Sequence, residues 1–172
     1  MFAPHRIRPE EVRRGDIIVW KREGILSCLL SLLIKTVKEP KYDRWCWHTT
    51  PMITDTQFLD AQFPSLKLTS FIDKKYKDKE FRVYRIFEAP PHANKLNKFA
   101  KDKIGCGYDF IAYILTALAV LLRPKIDIPR IINKKLTCWE TAWEFADEMG
   151  LDITDDYDYP FITDLLRLCG EL

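Results

Sequence analysis

No apolar run in this chain is long enough to cross a membrane. The two longest, Gly24–Val37 and Phe110–Leu122, fall short of the roughly 20 residues a spanning helix needs. Each is expected to be a buried or amphipathic helix, with association to a lipid surface left open. The chain also lacks an excess of either charge: 27 Lys and Arg stand against 25 Asp and Glu, a net +2. No basic stripe with interleaved aromatics is present, so a nucleic acid is not the expected partner. There is no Cys-x-x-Cys pair among Cys28, Cys46, Cys106, Cys138 and Cys169, which argues against a zinc ribbon or a thioredoxin motif. Cys46 and His48 are too close for zinc-finger ligands. Reduced thiols are the simplest state for these cysteines. The opening MFAPHRIRPEEVRRGD has no apolar h-region, so no signal peptide is read, and the expected setting is cytoplasmic or left open. No internal repeat is found, and the acidic stretch with Asp152, Asp155, Asp156 and Asp158 lacks the ordered spacing of a calcium loop.

What is present is the composition of a folded protein. The chain has 172 residues, 47% hydrophobic and 30% charged. That is enough for one domain, residues 1–172, with a sizeable core. Ile17–Lys21 is β-rich after a Gly15-Asp16 turn and reads as a buried strand. Trp45–Ile53 reads as a second strand, with Pro51 marking an edge or an irregularity. Gln57–Gln62, Ser65–Phe71 and Glu80–Phe87 read as further strands, the last with one wet face. The polar run DKKYKDKE between the last two is expected to be a solvated turn. Ala93–Lys103 reads as an exposed helix and Gly105–Asp109 as a glycine-containing turn. Arg123–Lys135 reads as a basic connector that could cover a site. Together these predict an α+β fold.

The chemistry concentrates in LTCWETAWEFADEMG, Leu136–Gly150. Thr137 and Glu140 have the spacing of a capping box, with Thr137 as N-cap and Cys138 as the first helical residue. Trp139, Ala142, Trp143, Ala146 and Met149 recur at helical steps, and Gly150 is a stop signal. Cys138 therefore sits where amide N–H groups point outward and the helix dipole is positive, an environment that favours a thiolate. Most free cysteines are simply small buried apolar residues. A first-turn cysteine is expected to add little packing. Of the three histidines, only His48 is flanked by residues of buried type. Asp60 falls in the middle of a strand, where an acid needs a partner. Gln62 shares its face.

In order, GDIIVW, a helix, WHTTPMI, FLDAQFPSLKLTSF, VYRI, GYDF and TCWETAWEFADEMGL form a series. It resembles the circularly permuted NlpC/P60 group of papain-like cysteine hydrolases, the YiiX/YebB-like proteins, over Gly15 to about Leu166. The resemblance implies a permuted papain-like fold, with an antiparallel sheet or small barrel packed on helices. It implies Cys138 as nucleophile, His48 as base and Asp60 as the orienting third residue, with Gln62 as the alternative. It sets Asp16 on the family's Gly-Asp and Tyr108-Asp109 on a Tyr-Asp pair. Tyr108, Trp47 and Trp139 become candidates for contact with the oxyanion or substrate. The implied activity is thiol hydrolysis of an amide or peptide, such as a cell-wall peptide, with no cofactor and no metal. Trp139 departs from the small residue usual after the cysteine, and Asp60 is shorter than the usual glutamate. The alternatives are acyl transfer or esterase action on a lipid with the same fold, or a binding module without catalysis. TCWETA lacks the Asn-Cys-Glu-His signature of the lecithin:retinol acyltransferase relatives.

Overall fold

The structure is a computed structural model, and it describes residues 11–21, 47–73, 79–111 and 135–151. The helix expected over Gly24–Val37, most of that over Phe110–Leu122, the connector up to residue 134 and the acidic tail lie outside the described residues.

The described part is α+β. Strand β1 (Ile17–Lys21) is the centre of a three-stranded antiparallel sheet. It is flanked by β2 (Trp47–Pro51) and β5 (Phe81–Tyr84). β1 is buried along nearly its whole length, as a β-branched run between two neighbours should be. β2 is an edge strand, which is where Pro51 can be accommodated. β3 (Gln57–Ala61) and β4 (Leu66–Ser70) form a separate antiparallel hairpin. A bridge between Met52 and Phe58 stitches the hairpin to the end of β2.

Two helices are described, α1 (Ala93–Lys103) and α2 (Cys138–Glu148). α1 is mostly exposed, as expected from its charge, but it buries one stripe: Leu96, Phe99 and Ala100. These three recur at helical spacing within a basic sequence, a narrow apolar stripe that the lysines outnumber. The Gly105–Asp109 segment is more than a turn. Its Gly107–Tyr108 is a two-residue strand, β6, parallel to Lys135–Leu136, β7. β5 is shorter than the Glu80–Phe87 expected, because pairing with β1 ends at Tyr84.

Two apolar clusters hold these elements. One gathers Ile17, Val19, Leu59, Leu66, Leu96, Phe99 and the inner face of α2. The other centres on Trp20, whose ring lies 5.4 Å from Phe58, 5.3 Å from Phe71 and 5.2 Å from Phe81. The two clusters follow from the period-two alternation of β1: Ile17 and Val19 face one way, Ile18 and Trp20 the other. Trp20 also donates its indole N–H to Thr50 Oγ1 at 2.8 Å.

The turn before β1 is fixed by charge and by backbone. Asp16, almost fully buried, takes Arg85 Nε on one oxygen and an Arg85 terminal nitrogen on the other, both at 2.9 Å. Gly15 adopts φ 91°, and a Cβ there would lie 2.4 Å from Pro91 Cδ. Asp16 thus has a structural partner just ahead of β1.

Candidate active site

α2 begins as its sequence dictates. Glu140 N–H donates to Thr137 Oγ1 at 3.3 Å, and Thr137 N–H donates to Glu140 Oε2 at 2.7 Å. The Thr137 hydroxyl hydrogen goes to the same carboxylate oxygen at 2.6 Å. The capping box is complete. At the other end Gly150 takes φ 96°, and Leu151 N–H and Gly150 N–H donate to Ala146 O and Asp147 O. That is a Schellman closure, which needs the left-handed residue that glycine supplies. Both ends of the helix are therefore pinned, and Cys138 is held at its first position.

The inner face of α2 is wider than the spacing of its apolar residues implies. Cys138, Thr141, Ala142, Trp143, Phe145 and Ala146 are buried. Trp139 is only half-buried, packed against the edge of the core. Cys138 is 1% exposed and belongs to the main cluster. It packs, contrary to the expectation for a first-turn cysteine, because β2 lies directly against this helix.

His48 comes from the opposite side. It is the second residue of β2, paired across the sheet with Trp20. It is buried, at 3% exposure. Its Nε2 lies 2.6 Å from Asp60 Oδ1. A carboxylate can only accept, so Nε2 carries the hydrogen and donates it. Asp60 reaches His48 despite being a methylene shorter than glutamate, because the Met52–Phe58 bridge brings β3 alongside the end of β2. Asp60 is wholly buried, and Thr69 Oγ1 donates to its second oxygen at 3.4 Å. The Gln62 side-chain amide lies 3.3 Å from the same His48 nitrogen. Both sequence candidates for orienting the ring come close to it, but the Gln62 amide nitrogen and a protonated Nε2 are both donors, so Asp60 is the one that accepts from the ring.

The other ring nitrogen, Nδ1, is buried without a hydrogen-bond partner. The ring is also coupled to Cys138. Burial, the largest influence, pulls the His48 pKa down. The Asp60 hydrogen bond, the Cys138 thiol and the charges of both together outweigh burial and hold it above its ordinary value. The arrangement is therefore a buried imidazole clamped through Nε2, with an unfilled Nδ1 and a thiol at a helix start as its neighbour.

The remaining candidates are less central. Tyr108 is buried in the main cluster and pairs in register with Leu136, two residues before Cys138. Asp109 N–H donates to Leu136 O at 3.2 Å, and the Asp109 side chain is buried. Trp47 pairs with Lys21 at the end of β2, and its side chain lies outside what is described. Thr69, Thr50 and Trp20 escaped the sequence reading. Thr69 emerges only from the hairpin register, which sets it diagonal to Asp60 on the same face, opposite Phe58. Among the described residues no cluster of His, Cys, Asp or Glu is arranged to hold a metal ion. None of their helices is long and apolar enough to cross a membrane. The family models contain no match to the chain, and neither do the curated proteins.

Proposed function

We propose that this protein is a thiol hydrolase of the amidase or peptidase type, built on a permuted papain-like fold and working through a Cys138–His48–Asp60 triad. One observation carries the reading. A buried imidazole is fixed through Nε2 by a buried carboxylate, and its unpartnered Nδ1 is the nitrogen left to serve the coupled Cys138 thiol.

In this reading His48 Nδ1 takes the proton from Cys138 Sγ and leaves a thiolate–imidazolium pair. The positive end of α2 and the imidazolium both stabilise the sulfur anion. The thiolate attacks the carbonyl carbon of the substrate, and negative charge moves to the carbonyl oxygen. The amides of the first turn of α2, including Cys138 N–H, are the natural donors to that oxygen. Collapse of the adduct expels the amine, which takes the proton from His48, and a thioester remains on Cys138. Water then gives its proton to His48, attacks the thioester and releases the acid with the thiol restored. Asp60 keeps the ring in the tautomer and orientation that both steps need. The sequence requires neither metal nor cofactor. Peptides, including cell-wall peptides, are the substrate class in view.

A second reading, action on a lipid ester or thioester, draws on the exposed apolar residues nearby. Phe63, next to Gln62, is 78% exposed, and Phe110 and Ile111 are also exposed. Sedimentation with lipid vesicles separates the two, since protein left in the supernatant removes the lipid reading.

The test is alkylation by iodoacetamide followed by mass spectrometry of the cysteine peptides. Cys138 should react ahead of the other four cysteines despite its burial, and His48→Ala should erase that preference. Equal labelling of all five in the parent protein overturns the proposal and leaves a binding module.

A further inference from the structure

We infer that Thr69 is a positioning residue for the triad, holding the Asp60 carboxylate in place from the side opposite His48. The inference rests on the hydrolase reading and extends it to a residue on a different strand. Asp60 sits at 0% exposure on β3, with Oδ1 committed to His48. Its Oδ2 receives the Thr69 hydroxyl at 3.4 Å, and Thr69 is itself buried at 7%. The β3–β4 register makes this geometry a property of the fold. Phe58 stands opposite Thr69 and Asp60 opposite Lys67, so Thr69 and Asp60 are diagonal neighbours on one face.

The physical need is clear. A carboxylate taken out of water requires donors at both oxygens. A carboxylate free to rotate about its Cβ–Cγ bond would also carry the imidazole with it. The hydroxyl fixes the plane of the carboxylate and through it the plane of the ring, so that Nδ1 stays in line with the sulfur. At 3.4 Å the separation is longer than the roughly 2.5–3.0 Å of a well-formed hydroxyl bond, so the contact is weak at rest and should tighten when charge develops. The Thr69 hydroxyl is directed at Asp60, so its influence passes through Asp60.

Two variants separate the hydroxyl from the shape of the side chain. Thr69→Val keeps the shape and removes the donor; Thr69→Ser keeps the donor and removes a methyl. Each is made in the full chain and read in two ways. The first is the rate of Cys138 alkylation by iodoacetamide as a function of pH. The second is the far-downfield proton NMR signal of a buried imidazole N–H bonded to a carboxylate. In Thr69→Val the alkylation rate should fall by about fivefold and the downfield signal should broaden or vanish. In Thr69→Ser both should match the parent protein. A valine variant that matches the parent in both readouts overturns the inference. So does a serine variant as impaired as the valine one, because packing would then be the cause. If instead Cys138 of the parent protein reacts no faster than the other cysteines, the hydrolase reading fails, and the NMR signal still decides whether Thr69 holds Asp60.

Discussion

His48 and Asp60 meet at 2.6 Å although their strands belong to different sheets. β2 closes one edge of the three-stranded sheet, and β3 belongs to the hairpin with β4. The bond therefore ties the two sheets together as well as aligning a ring, and its loss should be felt in stability as well as in reactivity.

The pH dependence of stability follows from the raised pKa of His48. The native state holds this proton more tightly than the unfolded chain does. The associated stabilisation is complete below the ordinary histidine value of about 6.5 and is lost as pH rises through the higher folded value. The melting temperature should therefore fall as pH rises above about 6.5, by more than in a His48→Phe variant. In Asp60→Asn the largest raising influence is gone and burial dominates, so this slope should flatten or reverse. A His48→Phe protein with the same pH profile as the parent would exclude His48 as the titrating group.

Asp60 and Gln62 both approach Nε2, at 2.6 Å and 3.3 Å. The shorter, charged contact should dominate. Asp60→Asn is expected to slow Cys138 alkylation by at least about tenfold, since an amide can stabilise the wrong tautomer. Gln62→Leu should slow it only about twofold. Equal losses would make the two residues joint orienting groups.

The cap of α2 holds the sulfur at the helix start. Thr137→Ala removes the acceptor for Glu140 N–H and should cost about 1 kcal/mol in chemical denaturation. It should also slow alkylation of Cys138, because the first turn frays. Cys138→Ala should abolish turnover and cost about 1 kcal/mol, reflecting a small buried side chain in the main cluster. A loss of several kcal/mol in that variant would mark Cys138 as chiefly a packing residue.

The Asp16–Arg85 pair secures the start of β1 from a distance. Asp16→Ala leaves Arg85 without its bidentate partner and should cost about 2 kcal/mol, less than a fully buried pair because Arg85 is partly exposed. Gly15→Ala should cost at least about 1 kcal/mol from its positive φ alone, with the clash against Pro91 added. Neither change touches His48 or Cys138, so in the folded fraction the alkylation rate of Cys138 should be unchanged.

Much of this was legible in the chain itself. The capping box of Thr137 and Glu140, the glycine stop at Gly150 and the alternation of β1 are local rules, satisfied by residues within one turn or one strand. They set which segments are helix and strand and left Cys138 at a helix start. The reach of Asp60 was not legible, because it depends on the Met52–Phe58 bridge, a contact between segments whose register no local pattern states. Nor was the buried stripe of α1, where three apolar residues are hidden among lysines, or the parallel pairing of β6 with β7 across a long connection.

The sequence by itself determined the types of the main described elements and both ends of α2, since capping, turn and alternation energies act between near neighbours. Only the tertiary structure decided that a thiol from residue 138, an imidazole from residue 48 and a carboxylate from residue 60 share one buried region. It also decided that Thr69 stands behind them. The reason is physical: such meetings are set by how sheets and helices pack, and packing sums many weak long-range contacts that no short stretch of residues encodes.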